Sequence, residues 1–261
     1  MFDFMRGLFR REGEIALEFA AVSERGLVRP DNQDHFTVHQ ESGVFCVADG
    51  MGGGEGGAKA SEIACASISR AASDRGDFPE RIKRIAAAVR EANGEIRKYA
   101  KKAGFRQMAT TVTFLAVERR TGVGVIGYVG DSRIYRFRDG ELTQLTHDHT
   151  LAGELSRRAA TRALANQLDG RAGALSHVLT RAVGIEPDVQ TEWRKIDLRA
   201  GDMYLICSDG VYDMVAAGGL REAFAAGGTP QEVADRLAGR VVDGGAEDNY
   251  TAIVLRIGGH E

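Results

Sequence analysis

Proline is scarce in this 261-residue chain, with four residues against thirty-three glycines. That balance argues against a proline-rich or disordered tract and points to many tight turns. Cysteine is scarce as well. Cys46, Cys65 and Cys207 lie in apolar runs, and no CxxC spacing occurs. Buried free thiols in a reducing compartment are the expected state. Neither sign of charge dominates: the formal net charge is -3 and the pI is near 6.1. A nucleic-acid partner or an anionic membrane surface gains no support from that balance. No apolar run is long enough to span a bilayer, and no secretory signal with an apolar centre is present. The expectation is a cytoplasmic, monomeric protein.

Repeats, low-complexity tracts and interdomain linkers are also missing. At 43% hydrophobic and 27% charged residues the composition is that of an ordinary globular protein. One domain over 14–261 is expected, preceded by an N-terminal extension, 1–13. Within that extension Phe2, Phe4, Met5, Leu8 and Phe9 stand among Arg6, Arg10 and Arg11. A short amphipathic helix is one reading and a frayed terminus the preferred one.

Ile15, Leu17, Phe19 and Ala21 alternate with their neighbours, predicting a half-buried strand. Two strands, 35–40 and 43–48, flank the turn Glu41-Ser42-Gly43. Ala60, Ala64, Ile68, Ala71 and Ala72 share one helix face. Ile82, Ile85, Ala86, Val89, Ile96 and Ala100 share another, in a helix opened by Pro79. Strands follow at 111–117, 123–129 and 134–138, with hairpin turns at Thr121-Gly122 and Asp139-Gly140. Such a meander suggests an antiparallel sheet. Residues 146–187 are rich in Arg, Ala, Thr and His and read as a helical or irregular excursion. Within it His147-Asp148-His149 could ligate metal. A capping Asp148 or Thr146 with two solvated histidines is the stronger alternative. Strands at 189–196 and 203–207, a short helix at 211–215, a Thr229-capped helix and a strand at 251–257 complete the chain.

Asp34, Asp49, Asp131, Asp209 and Asp248 each fall at or beside a strand end, near a polar or glycine-containing turn. After Asp49, six of the ten residues 49–58 are glycine. For any single Asp a turn or cap role suffices, and Asp-Gly is common hairpin chemistry. Taken together the five suggest one cationic site, because isolated buried carboxylates are costly. No basic residue recurs beside them to suggest salt bridges. An oxygen-only donor set suits Mg²⁺ or Mn²⁺, and so many carboxylates can hold two ions for phosphoryl hydrolysis.

Six segments carry a resemblance. Ser23-Glu24-Arg25-Gly26-Leu27-Val28-Arg29 with Asn32-Gln33-Asp34 is similar to the opening motif of the PP2C (PPM) family of metal-dependent Ser/Thr protein phosphatases. Asp49-Gly50-Met51-Gly52-Gly53 resembles its DGxGG motif, Gly130-Asp131-Ser132-Arg133 its GDSR motif and Thr180-Arg181-Ala182-Val183-Gly184 its TRAxG segment. Ser208-Asp209-Gly210 and Glu247-Asp248-Asn249 are similar to its last acidic motifs. The order is right, from about residue 14 to 257, and the bacterial branch fits best. The resemblance implies an α+β fold: an α-β-β-α sandwich with two central antiparallel sheets flanked by helix pairs, and a flap at 146–187. It implies hydrolysis of phosphoserine and phosphothreonine by a metal-activated bridging water. Asp49 would bridge two Mg²⁺ or Mn²⁺ ions, the Gly50 carbonyl would bind the second, and Asp209 and Asp248 would complete the first. Asp34 would act on the water. Asp131 and Asp213, with Asp209 shared, would hold a third ion. Arg29 would clamp the phosphate, with Gln33 and Asn249 in support. Partners would be phosphorylated proteins, including a Ser/Thr kinase.

Two positions depart from the family pattern. Met51 stands where several members carry a histidine proposed as general acid, and Gln33 where many carry Glu. A catalytically silent phosphoprotein-binding module and a small phosphate-ester hydrolase are the competing readings.

Overall fold

The computed structural model describes residues 4–9, 13–52, 55–73, 76–158 and 175–260. Its architecture is readable from β2 (Ile15–Glu24). Ile15, Leu17, Phe19 and Ala21 enter one apolar cluster, while Ala20 and Val22 enter another. The strand is therefore buried on both faces, not on one as its alternation predicts. A second sheet covers one face and helices cover the other.

Two antiparallel sheets form the centre. In the first, β1 (Phe4–Phe9) pairs with β2, followed by β12 (Tyr250–His260), β11 (Met203–Cys207), β8 (Arg133–Arg138) and β9 (Glu141–Gln144). In the second, the order is β10 (Glu192–Asp197), β7 (Val123–Val129), β6 (Val112–Glu118), β4 (Val44–Met51) and β3 (Asp34–His39). Short β5 (Ala109–Thr110) adds to β4. Helices α1 (Glu55–Ser73) and α2 (Phe78–Ala103) cover the second sheet. The flap contributes α3 (Leu151–Arg158). The short α4 (Asp209–Tyr212) leads to α5 (Ala217–Ala225) and α6 (Pro230–Asp243), which cover the first sheet. The result is the α-β-β-α sandwich that the resemblance implies.

Local chemistry sets the element ends. Asp77 caps α2 by accepting from the Glu80 N–H, and Gly104 closes it at φ 77°. Thr229 and Glu232 form a reciprocal capping box on α6. Asp139 and Gly140 both take positive φ in the β8–β9 turn, the conformation of tight hairpins. Helix α5 was not visible in the sequence, since Gly218 and Gly219 weaken its propensity. It forms by burying Leu220, Ala223 and Phe224.

The N-terminal reading needs correction over 4–9. These residues are neither a helix nor frayed; they are an edge strand, paired from Phe4↔Val22 to Phe9↔Leu17. A six-residue segment is too short to sustain an isolated helix, whereas the edge of β2 offers ready main-chain partners. Residues 1–3 and 10–12, and flap residues 159–174, lie outside the described residues.

The inter-sheet core holds the two halves in register. Phe19 of one sheet meets Phe45 of the other edge-to-face at 5.7 Å. Phe45 is fully buried. Phe45→Ala is expected to lower unfolding free energy by about 3–5 kcal/mol, read from the denaturant midpoint.

Candidate active site

One end of both sheets gathers the acidic residues. Asp34 opens β3 directly opposite Asp49 near the end of β4. Arg133, two residues after Asp131, pairs with Cys207, two residues before Asp209. Cys207 in turn pairs with Ala252, just past Asp248 and Asn249. Antiparallel pairing thus brings together residues far apart in sequence, three sites from the first sheet and two from the second.

Hydroxyls and amides fix this arrangement. The buried Ser208 hydroxyl donates to Asp34 Oδ2 at 2.6 Å and accepts the Thr251 N–H at 2.9 Å, joining the two sheets. The Asp49 N–H donates to Thr111 Oγ1 at 2.9 Å, and Thr111 Oγ1 also meets Ser132 Oγ at 2.7 Å. Thr110 donates its hydroxyl, and Thr111 its N–H, to the Asp49 carbonyl. Asn249 accepts the Gln33 N–H and donates to the carbonyls of Arg25 and Asp31. Glycine is required at Gly50, where a Cβ would strike the Gly57 carbonyl and come within 2.6 Å of the Gln33 carbonyl. At Gly57 it would strike the Gln33 side chain, so Gln33 lies against the start of α1.

The carboxyls are crowded: Asp34 and Asp131 are buried, and Asp49 and Asp209 are half-buried against the cleft. Burial, then the charge of Asp209, pushes the Asp131 carboxyl up to about 8. Burial also raises Asp49 well above the usual range, reinforced by Asp209, Asp34 and Asp131. Asp34 is raised by burial despite its hydrogen bonds from Ser208 and Thr251, with Asp209 and Asp248 adding to the rise. Asp209 is raised by burial and by the charges of Asp248 and Asp213. Such groups call for a cation, and their oxygen donors suit a hard divalent ion. The residues present therefore fit Mg²⁺ or Mn²⁺.

The positions of individual side chains refine the expectations. A basic residue does stand at the cluster: Arg29 grips Asp248 through two hydrogen bonds, 2.8 and 2.7 Å. This contact raises the Arg29 guanidinium further. Among the described residues, the trio with donor atoms within 4.8 Å of one another is His177, Asp209 and Asp213. Asp49, Asp209 and Asp248 do not converge so closely with Asp248 turned to Arg29. Asp131 and Asp213 both act on Asp209 electrostatically or through proximity, but Asp131 is outside that trio.

His147-Asp148-His149 is neither a metal triad nor a cap with two solvated histidines. Asp148 receives Arg133 at 2.5–3.1 Å. His149 is buried; its Nδ1 accepts the Gly130 N–H at 3.1 Å, which leaves Nε2 to face Glu192 at 3.3 Å. The cap of α3 is Thr150, whose hydroxyl accepts the Gly153 N–H. Arg133 also lies over the Tyr212 ring at 3.5 Å, and the Tyr212 hydroxyl donates to the Asp131 carbonyl. The GDSR turn is thus held from both sides.

Sequence reasoning missed Ser208 and Thr111 as positioning groups, and His177 as a cleft residue. The first two were visible as polar residues beside motif aspartates. His177 carries no motif and comes from the flap.

Above the carboxyls lies a cleft of about 530 Å³, lined among others by Arg29, Asp49, Met51, Asp131, His177 and Asp209. A family profile described as Protein phosphatase 2C matches residues 24–237. The chain belongs to the protein phosphatase 2C family. It is 34% identical over 249 residues to the serine/threonine protein phosphatase PstP of Mycobacterium tuberculosis, covering 93% of this chain and 45% of that protein. The chain therefore spans just under half the length of that relative. It is 32% identical over 240 residues to the serine/threonine phosphatase Stp of Listeria innocua, covering 89% and 93% of the two chains. The catalytic domain of PstP, solved with two manganese ions, superposes with a TM-score of 0.80 at 31% identity. That superposition covers 94% of this chain and all of that domain. This family member has no helix, among its described residues, long and apolar enough to cross a membrane.

Proposed function

We propose that this protein is a divalent-metal-dependent phosphatase that hydrolyses phosphoserine and phosphothreonine in proteins. The observation that carries this reading is the convergence of mutually repelling carboxyls at the shared end of both sheets, with Asp34 and Asp131 buried and Asp49, Asp209 and Asp248 partly so. Asp49, Asp209, Asp248 and the Gly50 carbonyl would hold two Mg²⁺ or Mn²⁺ ions, with Asp131, Asp209 and Asp213 available for a third. Bound there, such ions supply the positive charge that orients a phosphate ester and lowers the pKa of water.

The chain's own groups do the rest. Arg29, at the mouth, presents a planar fork suited to phosphate oxygens. Ser208 and Thr251 orient the Asp34 carboxyl, placing a proton acceptor opposite Asp49. Asn249 ties the Arg29-bearing loop to Gln33 and so fixes the phosphate-binding end relative to Asp34. Met51 offers no proton to a leaving alkoxide. Phosphorylated proteins, including a Ser/Thr kinase, are the proposed substrates, and a monomer in the cytoplasm is the proposed state.

Phosphate release from phosphothreonine peptides, measured against Mn²⁺ concentration, tests the reading. Activity should require the metal, vanish in EDTA and vanish in Asp209→Ala. Arg29→Ala should raise KM about tenfold or more, the worth of a charge-assisted hydrogen bond. Turnover in metal-free buffer would sink the metal mechanism. Peptide binding without turnover at saturating Mn²⁺ would favour the silent module.

A further inference from the structure

The mouth of the cleft is bordered by aliphatic side chains left open to solvent. Leu27 and Val28 are each 67% exposed, Val178 44% and Ile185 54%. Val28 shares a hollow of about 630 Å³ with Arg29, His177, Asp209 and Asp248. Val178 and Ile185 line the adjoining cleft with the same Arg29, His177, Asp209 and Asp248. Two segments remote in sequence therefore present exposed apolar surface around one phosphate-binding centre: Val28 from one, with Leu27 beside it in the chain but outside both hollows, and Val178 and Ile185 from the other.

Neither segment is loosely held. Buried Asn249 binds the carbonyls of Arg25 and Asp31, bracketing Leu27 and Val28, and the Leu27 N–H donates to Ala246. Gly26 takes φ 76° under the carbonyls of Asp248 and Ala246, where no side chain fits. Across the cleft mouth, buried Asn93 accepts the Gly184 N–H at 2.7 Å and donates to the carbonyls of Glu186 and Pro187 at 3.0 and 3.3 Å. Val183 exchanges both main-chain hydrogen bonds with Thr110, beside the metal-binding turn. A Cβ on Gly184, at φ 109°, would lie 2.5 Å from Ile96. The Val178 carbonyl accepts the Leu151 N–H. Each exposed aliphatic group is thus held in place by main-chain bonding, some of it through a buried asparagine.

Exposed apolar surface rimmed by polar groups marks a recognition site, and preorganised contacts bind with less ordering entropy to lose. The charged groups lining the two hollows, apart from Arg29, are Asp49, Asp131, Asp209, Asp213, Glu247 and Asp248, with His177. Of these, Glu247 lies outside the proposed ion-binding set, and an acidic flank on a bound peptide would meet it unfavourably. We infer that the rim selects phosphopeptides whose phosphorylated residue is flanked by aliphatic residues, docking on Val28 and on Val178 and Ile185. The inference rests on the phosphatase reading and names the substrate class within it.

Steady-state kcat/KM is measured with Mn²⁺ for phosphothreonine peptides carrying Leu, Ser or Glu at the positions flanking the phosphorylated residue. p-Nitrophenyl phosphate serves as a flank-free control. The wild-type protein should prefer Leu flanks to Ser flanks by about tenfold, which is about 1.4 kcal/mol, with Glu flanks poorest. The Leu-to-Ser ratio, read within each protein, should fall toward one in Val28→Ser and in Ile185→Ser. Equal rates for Leu- and Ser-flanked peptides in the wild type would overturn the inference while leaving the phosphatase reading intact. So would a preference that survives both substitutions together. Absence of turnover on every peptide and on p-nitrophenyl phosphate would instead remove the phosphatase reading and this inference with it.

Discussion

Asp49→Asn should abolish metal-dependent phosphate release and, in the same protein, raise the melting temperature measured in EDTA. The two effects have one cause. Asp49 faces the charges of Asp34, Asp131 and Asp209 in a partly buried site, and its carboxyl is raised well above the usual range. Folding the metal-free protein at neutral pH must either bury that charge or bind a proton. Asparagine keeps the shape and removes the charge. A gain of at least about 1 kcal/mol is expected, since a tenfold change in proton affinity corresponds to about 1.4 kcal/mol. For a chain of this size that is roughly 2–4 °C. With Mn²⁺ the order should reverse, because an ion that binds only the folded state stabilises it by about 2.7 kcal/mol at 100 times its Kd. The substitution removes a carboxylate proposed to hold the metal, so the loss of activity should exceed the 10–100-fold typical of groups that only orient a ligand, on the order of 10³-fold. Thermal melts with and without Mn²⁺, beside phosphate release, read both effects. A variant less stable than wild type in EDTA would mean that the carboxylate is already compensated by the protein.

The second large effect concerns pH. In EDTA, stability should fall as pH rises from about 6.5 to 8.5, and Mn²⁺ should flatten or reverse that slope. The folded Asp131 carboxyl binds its proton up to about pH 8, far above its value of 3.8 in a free chain. Its contribution is fully present below the free-chain value and is lost as pH rises through 8. Asp34, Asp49 and Asp209, all raised by burial first, act with the same sign. Below about 6.5 two histidines oppose them. His35 and His149 are both lowered by burial, so folding there excludes a proton that the free chain would bind. That opposition is half gone at about 6.5 and nearly gone by about 7.5, above which the carboxyls dominate. One extra proton held by the folded state is worth about 1.4 kcal/mol per pH unit. Asp131→Asn should make the slope shallower. Chemical denaturation across this range, with EDTA or Mn²⁺, measures it, and stability that stays flat or rises toward pH 8.5 in EDTA contradicts the picture.

The aspartates could be found in the sequence because each is tied to a turn next to a strand of clear period, such as Met203–Cys207 before Asp209. Strand 123–129 and the capped helix after Thr229 were legible for the same reason: their signals are local. What escaped is non-local. Ser208 matters because its hydroxyl reaches Asp34, 174 positions away, and Arg29 meets Asp248 across 219. No spacing rule encodes such pairs. His149 read as solvated because its neighbours are polar, yet the β7–β8 turn and Tyr128 bury it, with the rings stacked at 5.2 Å. Strand β1 was missed because its six residues acquire a structure only from the strand beside them.

The Ser208–Asp34 hydrogen bond has a mechanical corollary. Asp34 and Asp49 belong to one sheet, while Asp131, Asp209 and Asp248 flank strands of the other. Ions held between them would act as rivets through two sliding plates. Shear of one plate over the other would open the rivet holes before any ligand was lost. Metal affinity then becomes a gauge of sheet alignment. A packing defect at Phe19 or Phe45, with every ligand left in place, would register as weaker metal binding as well as lower stability.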